Sequence, residues 1–451
     1  METHDVVVVG AGLAGLSTAR ALTAAGRSVV VLEARERVGG RTEGAHLSDG
    51  QWVELGGQWI GPTQERMYEL VAEHGLRTVP TYDDGEMLFS LGGSTRRMSS
   101  AKGAVPRLNP IALADLAQGV TRFARLARRV DTEHPWRSPG AERLDAQTLH
   151  TWVHRHVRTA AGRAYFDLFA EAVLATGAGD TSLLHALFYT RSGQDMDTLM
   201  ATGAGAQQDR VEGGSVLLSE RMAEPLDVRL GRVVREVEQD DRGVTVGTSD
   251  GERWRARRAV VALPPTLAGR LVHRPLLPAL RDQLTQRTPA GSVIKVYAVY
   301  PTPFWREEGL NGQVASDRGP VKVVFDNSPP GYPRGILLCF LEGSAAREWS
   351  GRDPAERRQA VVDCLVGYFG PRAAAPEEYL ERDWSAEEFT RGCYGAHFTP
   401  GTWTGFGSAL REPVGRVHWA GTECSPVWNG YMEGAVRSGE ATAAEVHSRL
   451  G

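Results

Sequence analysis

Three glycines and one glutamate near the start of the chain have the types and spacing that bind a dinucleotide. Gly10, Gly12 and Gly15 follow a run of four valines, and Glu33 lies 18 residues beyond Gly15. Such glycines allow a tight turn, let the backbone approach a pyrophosphate, and let a helix pack on the preceding strand. A carboxylate at this distance accepts hydrogen bonds from ribose hydroxyls. We therefore predict a dinucleotide site, the alternative being a structural glycine turn.

Glu33 is followed by a stretch rich in arginine and glycine, ARERVGGRT. Arg35, Gly40 and Arg41 come directly after the second apolar run of the chain. A guanidinium group can pair with a phosphate through two parallel hydrogen bonds. These residues therefore extend the predicted site.

A lysine, a cysteine and two tyrosines far from the N-terminus could also do chemistry. Lys295 lies in the alternating run GSVIKVYAVY, and lysines are scarce in this chain. Cys393 and Tyr394 stand together in TRGCYG, and Tyr431 stands in WNGYMEG. A lysine supplies a positive charge, and a tyrosine ring presents an electron-rich face to a cation. For each of them the alternative is an ordinary place in a strand or in the core.

The elements that must position these residues can be read from hydrophobic periodicity. Residues 6–33 read as a strand, a glycine turn, a helix rich in alanine and leucine, and a second strand. Residues 228–262 read as short alternating strands that return to a parallel sheet. Residues 114–130 and 353–369 have helical periodicity, and the first of these helices lies either on a membrane or, as we expect, on the substrate domain. A last helix is predicted to start near Gly430.

Composition limits the classes of function. A chain of 451 residues with a net charge of −4 favours two domains and disfavours nucleic acid and anionic membranes as partners. The four cysteines form no CxxC pair, so we expect no metal site and a reducing, cytoplasmic location. The acidic start leaves no room for a signal peptide, and no apolar run is long enough to span a bilayer.

Six stretches, in order along nearly the whole chain, are similar to those of one enzyme family. They are GAGLAGL…LEARERVGGRT, LGGQWIGPTQERMYELVAEHGL, GAQQDRVEGGS, GSVIKVYAVYPTPFW, TRGCYGAHFTPG and VHWAGTECSPVWNGYMEGAVRSGEATAAEV. The sequence resembles the flavoprotein amine oxidases, and within them the monoamine oxidase branch and its soluble bacterial relatives. The resemblance implies FAD as cofactor and an α/β fold. A Rossmann-type FAD-binding domain (1–80, 208–286 and 392–451) would be interleaved with an α+β substrate domain of mixed sheet and helices (81–207 and 287–391).

The resemblance also assigns roles to residues. Lys295 would act near flavin N5, and Tyr394 and Tyr431 would flank the amine. Cys393 would either carry FAD as a thioether or remain a free buried thiol. Further residues would contact FAD, with Gln58 and Trp59 behind the flavin ring, Val233 at the adenine and Glu423 on FAD hydroxyls; the rest of this set is Gly57, Trp384, Gly421 and Met432.

The implied reaction transfers a hydride from the α-carbon of an amine to flavin N5. The imine product hydrolyses to an aldehyde or ketone plus amine, and oxygen is reduced to hydrogen peroxide. The partners would be a small-molecule amine and oxygen, and the protein would be a monomer or homodimer. One alternative is an amine or amide oxidase specific to a secondary-metabolite pathway, and another is a desaturase-type flavoprotein that oxidises carbon–carbon bonds.

The substrate class rests on fewer residues. By the resemblance, an amino-acid oxidase would carry an arginine just after the paired glycines of the loop GGQWIGPTQ, and this loop has none, which disfavours amino acids. A polyamine oxidase would carry a histidine after the tryptophan and isoleucine of this loop, where this chain has Gly61 and Pro62, which disfavours polyamines. Gln207 and Trp428 are expected to line the substrate cavity. Glu65 is predicted either to bind the distal ammonium of a diamine or to lie on a helix surface.

Overall fold

The computed structural model describes residues 3–451, so the first two residues of the predicted segment 1–80 lie outside the described part. Its strands, in chain order, are β1 (Thr3–Val9), β2 (Val29–Leu32), β3 (Gly44–His46), β4 (Trp52–Glu54), β5 (Trp59–Ile60), β6 (Thr78–Pro80), β7 (Glu86–Leu91), β8 (Ser94–Met98), β9 (Asp209–Val211), β10 (Asp227–Arg229), β11 (Val234–Asp240), β12 (Gly243–Thr248), β13 (Arg253–Val261), β14 (Val272–Arg274), β15 (Val293–Tyr300), β16 (Leu310–Ser316), β17 (Val323–Asp326), β18 (Gly335–Glu342), β19 (Glu378–Asp383) and β20 (Val417–Trp419).

The α-helices, in chain order, are α1 (Leu13–Ala24), α2 (Glu65–Glu73), α3 (Pro110–Ala127), α4 (Ala141–Asp145), α5 (Leu149–His156), α6 (Ala160–Leu174), α7 (Leu183–Ser192), α8 (Met196–Met200), α9 (Ser215–Ala223), α10 (Pro265–Ala268), α11 (Ala279–Gln286), α12 (Gly343–Ser350), α13 (Pro354–Phe369), α14 (Thr402–Phe406) and α15 (Met432–Leu450). The predicted helices at 114–130 and 353–369 correspond to α3 and α13, and the last helix begins two residues after Gly430. Within residues 3–451, no helix has the length and apolar character needed to cross a membrane.

The first sheet has eight strands and begins with the predicted βαβ unit. Its order is β10, β2, β1, β13, β12, β11 and β14, and β20 pairs with β13 as well. β1 is parallel to β2 and to β13, while β11, β12 and β13 form an antiparallel meander. Val6, Val7 and Val8 are fully buried because helices and loops cover both faces of the parallel part. Burying each such side chain contributes about 1.5–3 kcal/mol relative to leaving it exposed.

The second sheet has seven strands and holds the predicted lysine. Its order is β19, β15, β18, β17, β16, β7 and β8, with β7 parallel to β16 and the remaining pairs antiparallel. β15 lies between β18 and β19 and is buried along its whole length. The predicted α/β fold with a mixed second sheet is therefore confirmed. The domain boundaries stay a prediction, although all strands of the first sheet fall in segments 1–80, 208–286 and 392–451.

Helix α3 begins and is buried for local reasons. Asn109 accepts a hydrogen bond from the Ala112 amide, and Pro110 occupies the first helical turn, a position where its missing N–H costs nothing. The ring of Phe123 packs edge-on against Trp152 and Phe166. The apolar face of α3 is thus covered by protein, as expected for a helix of the substrate domain.

Candidate active site

The glycine turn between β1 and α1 has the geometry that the sequence predicts. Gly10 has a φ of 102°, and a Cβ there would lie 2.9 Å from the carbonyl oxygen of Ala262. A Cβ on Gly15 would lie 1.9 Å from the carbonyl oxygen of Gly10, so glycine lets α1 pack on β1. Gly12 caps α1 without a side-chain hydrogen bond, which leaves the first amides of the helix for an anion.

The Glu33 carboxylate lies at the end of β2, beside this turn. It is 3% exposed, and its two oxygens accept hydrogen bonds from the Ala11 amide at 2.8 Å and the Arg35 amide at 3.0 Å. Each carboxylate oxygen can accept a further bond, so the ribose hydroxyls of a bound nucleotide can still be recognised. The side chain of Arg35 donates to Glu387 and to Thr390 Oγ1, and its Nη1 also lies 3.6 Å from Glu33 Oε1.

Arg41 and Glu423, predicted to contact different parts of the cofactor, pair with each other. Arg41 Nη1 donates to Glu423 Oε1 at 2.7 Å and to the Tyr394 carbonyl at 2.7 Å. Burial raises the pKa of Glu423, but the Arg41 guanidinium outweighs burial and holds that pKa below its usual value. This ion pair joins the loop after β2 to the loops that carry Tyr394 and α15.

A single cavity of about 440 Å³ connects the glycine turn to the predicted catalytic residues. It extends from Glu33 and Val233 in the first sheet to Lys295 in the second. The residues of the sequence-predicted site that line it are Gly10, Gly12, Glu33, Arg35, Gly40, Arg41, Gly57, Gln58, Trp59, Gln207, Val233, Lys295, Trp384, Cys393, Tyr394, Gly421, Tyr431 and Met432. Gly15, Glu65, Glu423 and Trp428 do not line it.

Lys295 is held in the cavity wall by β15. Its side chain is 3% exposed, and Nζ donates to the Gly56 carbonyl at 2.7 Å and to Gln58 Oε1 at 2.6 Å. Burial lowers the pKa of Lys295 to about 7, against the opposing effect of the Glu54 carboxyl. The protonation of this amine therefore changes near neutral pH.

The two predicted cage tyrosines line the same cavity from different elements. Tyr431 precedes α15, and its ring packs against Trp428 with centroids 4.9 Å apart. Tyr394 lies in the loop after β19, and its hydroxyl donates to Glu342 Oε1 at 2.5 Å. Burial raises the pKa of both phenols well beyond neutrality, so the rings are uncharged. Trp428 was expected to line the substrate cavity, but it is fully buried in the core behind Tyr431 and does not reach the cavity surface.

The Cys393 thiol faces this cavity and is free of any disulfide. It is 5% exposed and adjoins Tyr394 through a cis peptide bond. Burial raises the pKa of the thiol to about 12, and Arg41 and Lys295 oppose that shift without cancelling it. The thiol is therefore protonated at neutral pH.

Glu65 is not a cavity residue, which corrects the expectation that it could bind a distal ammonium. It is the first residue of α2, its side chain is 70% exposed, and it lies 3.3 Å from Arg437 at the surface. The helix turns this residue outward, because its buried face is formed by Met67, Leu70 and Val71.

Sequence reasoning missed Glu342, Glu54 and Tyr189. Glu342 and Tyr189 line the cavity, and Glu54 lies behind Lys295. Burial raises the pKa of Glu342 to about 8 and the pKa of Glu54 to about 7. An acidic residue at the end of the otherwise apolar run GILLCFLE was the one signal for Glu342.

Comparison with known proteins decides the family. The family model described as flavin containing amine oxidoreductase matches residues 13–447. The chain belongs to the flavin-containing amine oxidoreductases. A probable flavin-containing monoamine oxidase A from Dictyostelium discoideum is 38% identical over 99% of this chain and 98% of its own length. An L-amino acid dehydrogenase from Synechocystis is 38% identical over 98% of this chain and 94% of its own length. The structure of a wild-type putrescine oxidase bound to putrescine superposes with a TM-score of 0.95, 35% identity and coverage of 99% and 100%.

As a member of this family, the amine oxidoreductase uses FAD to oxidise amines, and the predicted resemblance and cofactor are confirmed. The residues present fit the cofactor. The uncapped start of α1 suits a pyrophosphate, Glu33 suits a ribose, and the cavity continues without a break to Lys295. Bound FAD supplies the hydride acceptor of the reaction.

Proposed function

We propose that the protein is an oxidase of amines that lack a carboxylate, in which Tyr394 and Tyr431 flank the amine and Lys295 acts near flavin N5. The observation that carries this proposal is that one cavity joins the predicted dinucleotide site to a buried lysine and two tyrosines. The two phenol rings would hold the amine nitrogen and direct its α-carbon. Lys295 would place a hydrogen-bond donor at the redox centre, and in its protonated form it would also place a positive charge there.

The substrate must be an uncharged amine when it reacts, because its nitrogen lone pair assists the loss of hydride. The cavity wall supports this state. Its substrate end is built mainly from apolar side chains of α6, α8 and the second sheet, including Leu168, Val173 and Phe340. The Glu342 carboxyl also lines it, but its pKa of about 8 keeps it mostly protonated at neutral pH, so it stabilises an ammonium ion weakly.

The distribution of arginines supports amines over amino acids. The arginines that line the cavity are Arg35, Arg41, Arg232, Arg235, Arg270 and Arg391. None of them comes from α6, α8 or the second sheet, which form the substrate end. A carboxylate group bound there would lack the bidentate partner that arginine provides. An amine or amide oxidase of secondary metabolism has the same requirements and remains the alternative.

The first test is peroxide release in air from the purified protein, with aryl-alkyl amines, diamines, polyamines, amino acids and N-acyl amines as substrates. We expect turnover of amines without a carboxylate, with one hydrogen peroxide formed per amine oxidised. Turnover of L-amino acids would contradict the proposed substrate class. Bound flavin with no turnover in any class would contradict the oxidase itself and favour the desaturase-type reaction.

We also propose a cytoplasmic bacterial protein that is a monomer or homodimer, divided into the two interleaved domains given above. Four free cysteines support a reducing compartment. The strands of the second sheet all fall within 81–207 and 287–391, in keeping with the proposed division. Light scattering measures the oligomeric state, and fractionation of the source cells measures the location.

A further inference from the structure

Glu342 is a buried carboxyl in the cavity wall for which the proposed reaction gives no role. It ends β18 and pairs with Val293, two residues from Lys295 along β15. The side chain is 2% exposed, and the other residues of β18 are apolar apart from Cys339. Placing a carboxyl in such surroundings is unfavourable unless its hydrogen bonds offset the cost of losing water.

Glu342 makes one side-chain hydrogen bond, and that bond goes to a cage tyrosine. Its Oε1 accepts from the Tyr394 hydroxyl at 2.5 Å. Its Oε2 is buried and has no hydrogen-bond partner among residues 3–451. Orienting the Tyr394 hydroxyl is therefore the one side-chain interaction that the buried carboxyl makes through a hydrogen bond within the described chain.

The other charged groups near Glu342 are engaged with each other. Glu171 on α6 forms a short ion pair with Lys322, and it accepts a hydrogen bond from Ser344 Oγ at 3.0 Å. Glu171 raises the pKa of Glu342 further after burial, while Tyr394 and Lys322 lower it. Neither Glu171 nor Lys322 takes the place of Tyr394 as partner of the carboxyl.

We propose that Glu342 is a positioning residue for the amine, acting through the phenol of Tyr394. This inference rests on the proposed function, in which the ring of Tyr394 flanks the substrate nitrogen. The hydrogen bond fixes the direction of the phenol, and with it the plane of the ring, before the amine arrives. Donation to an ionised carboxylate also moves electron density into the ring, which strengthens the attraction of its face for the amine nitrogen.

Ionisation of Glu342 should change the rate of flavin reduction as the pH rises. With a pKa of about 8, Glu342 gains its charge as the pH rises through the weakly alkaline range. The titratable and charged groups that face it are Glu171, Lys322 and Tyr394, and the phenol remains neutral throughout that range. Lys295 and the amine titrate in the wild type and in Glu342→Gln alike, so the comparison of the two isolates Glu342. Flavin reduction should accelerate between pH 7 and 9 more steeply in the wild type than in Glu342→Gln.

The test is a double-mutant cycle on the rate of flavin reduction by a substrate amine without oxygen. The variants are Glu342→Leu, Tyr394→Phe and the double substitution. Each single change should slow reduction about tenfold, and the double variant should be no slower than either, because both remove one interaction. Glu342→Gln keeps an acceptor without the charge, so it should restore most of the rate at pH 7 and lose the extra acceleration toward pH 9.

Glu381→Gln is the matched control, because this glutamate belongs to the same sheet but contacts Arg357 instead of the cavity. It should reduce flavin at the wild-type rate, and bound FAD and melting temperature confirm that each variant is folded. Additive losses in the cycle, or a Glu342→Gln variant with the wild-type pH profile, would overturn the inference while leaving the oxidase intact. Absence of flavin reduction by any amine in the wild-type protein would overturn the proposed function, and this inference with it.

Discussion

The ammonium group of Lys295 lies 2.6 Å from Gln58 Oε1, a bond that ties the second sheet to the loop before β5. A second bond reaches the Gly56 carbonyl in the same loop. A lysine has three N–H donors when protonated, so one donor remains for a ligand or for water. Lys295 is therefore held in place by two hydrogen bonds, while its third N–H donor remains available.

Lys295→Met should slow flavin reduction or reoxidation about a hundredfold while FAD stays bound, because the change removes the donor but none of the nucleotide contacts. Stopped-flow measurement of the two half-reactions separates these steps. Lys102→Met is the control, since Lys102 donates to Thr198 Oγ1 at 2.7 Å and does not line the cavity. Wild-type rates in Lys295→Met would remove this residue from the mechanism.

Substitutions of Tyr431 test whether the aromatic ring or the hydroxyl group contributes to turnover. Tyr431→Phe keeps the aromatic surface that packs on Trp428 and should retain most of kcat/KM. Tyr431→Leu removes it and should lower kcat/KM about tenfold with little change in bound FAD. Equal losses in the two variants would show that the hydroxyl, and not the ring, is required.

The ion pair of Arg41 and Glu423 should contribute more to the stability of the fold and to the retention of FAD than to the rate of amine oxidation. Glu423 is 2% exposed, so Arg41→Met leaves a buried carboxylate without its partner and should cost about 3–5 kcal/mol of stability. Chemical denaturation measures that loss, and gel filtration followed by absorbance measures retained FAD. Arg372→Met, which breaks the exposed pair with Glu307, is the control and should leave the stability nearly unchanged, because water screens this pair.

The raised pKa of the Cys393 thiol predicts that FAD is not covalently bound. A thiol with a pKa of about 12 supplies little thiolate, which is the nucleophile that thioether formation requires. After acid precipitation we expect the yellow colour in the supernatant, with no difference between the wild type and Cys393→Ala. Colour that stays in the wild-type pellet and leaves the Cys393→Ala pellet would demonstrate the thioether.

Glu342 should also make folding depend on pH. Its pKa rises from 4.5 to about 8 on folding, so the folded state holds its proton more tightly than the unfolded state. Its contribution to stability is fully present below pH 4.5 and is lost as the pH rises toward 8 and above. Urea denaturation of Glu342→Gln should show a shallower fall in unfolding free energy across pH 5–8, by on the order of 1 kcal/mol per pH unit. Parallel pH curves for the two proteins would exclude this shift.

The sequence predicts the parts of the site that local pattern defines, and misses those that tertiary packing creates. The turn at Gly10 follows from one strand and one helix, so its geometry can be read from neighbouring residues. Glu342 and Tyr394 are 52 residues apart, and only the pairing of β15 with β18 and β19 brings them together. Glu65 shows the opposite error, since a residue close to the motif in sequence is turned outward by its helix. The Arg41–Glu423 contact also arises from tertiary packing. The sequence assigns each of these residues to the cofactor and therefore does not predict that they contact each other.

The first and last helices of the chain pack together, and Thr18 Oγ1 on α1 donates to the Gly439 carbonyl on α15 at 3.0 Å. Gly439 is required there, because a Cβ would lie 2.3 Å from the Ala14 carbonyl oxygen. Met432 and Ala435 of α15 line the cavity, so a chain without this helix lacks that part of the wall. Holding the flavin should therefore depend on the contact between α1 and α15, and chains truncated before Met432 should be purified colourless.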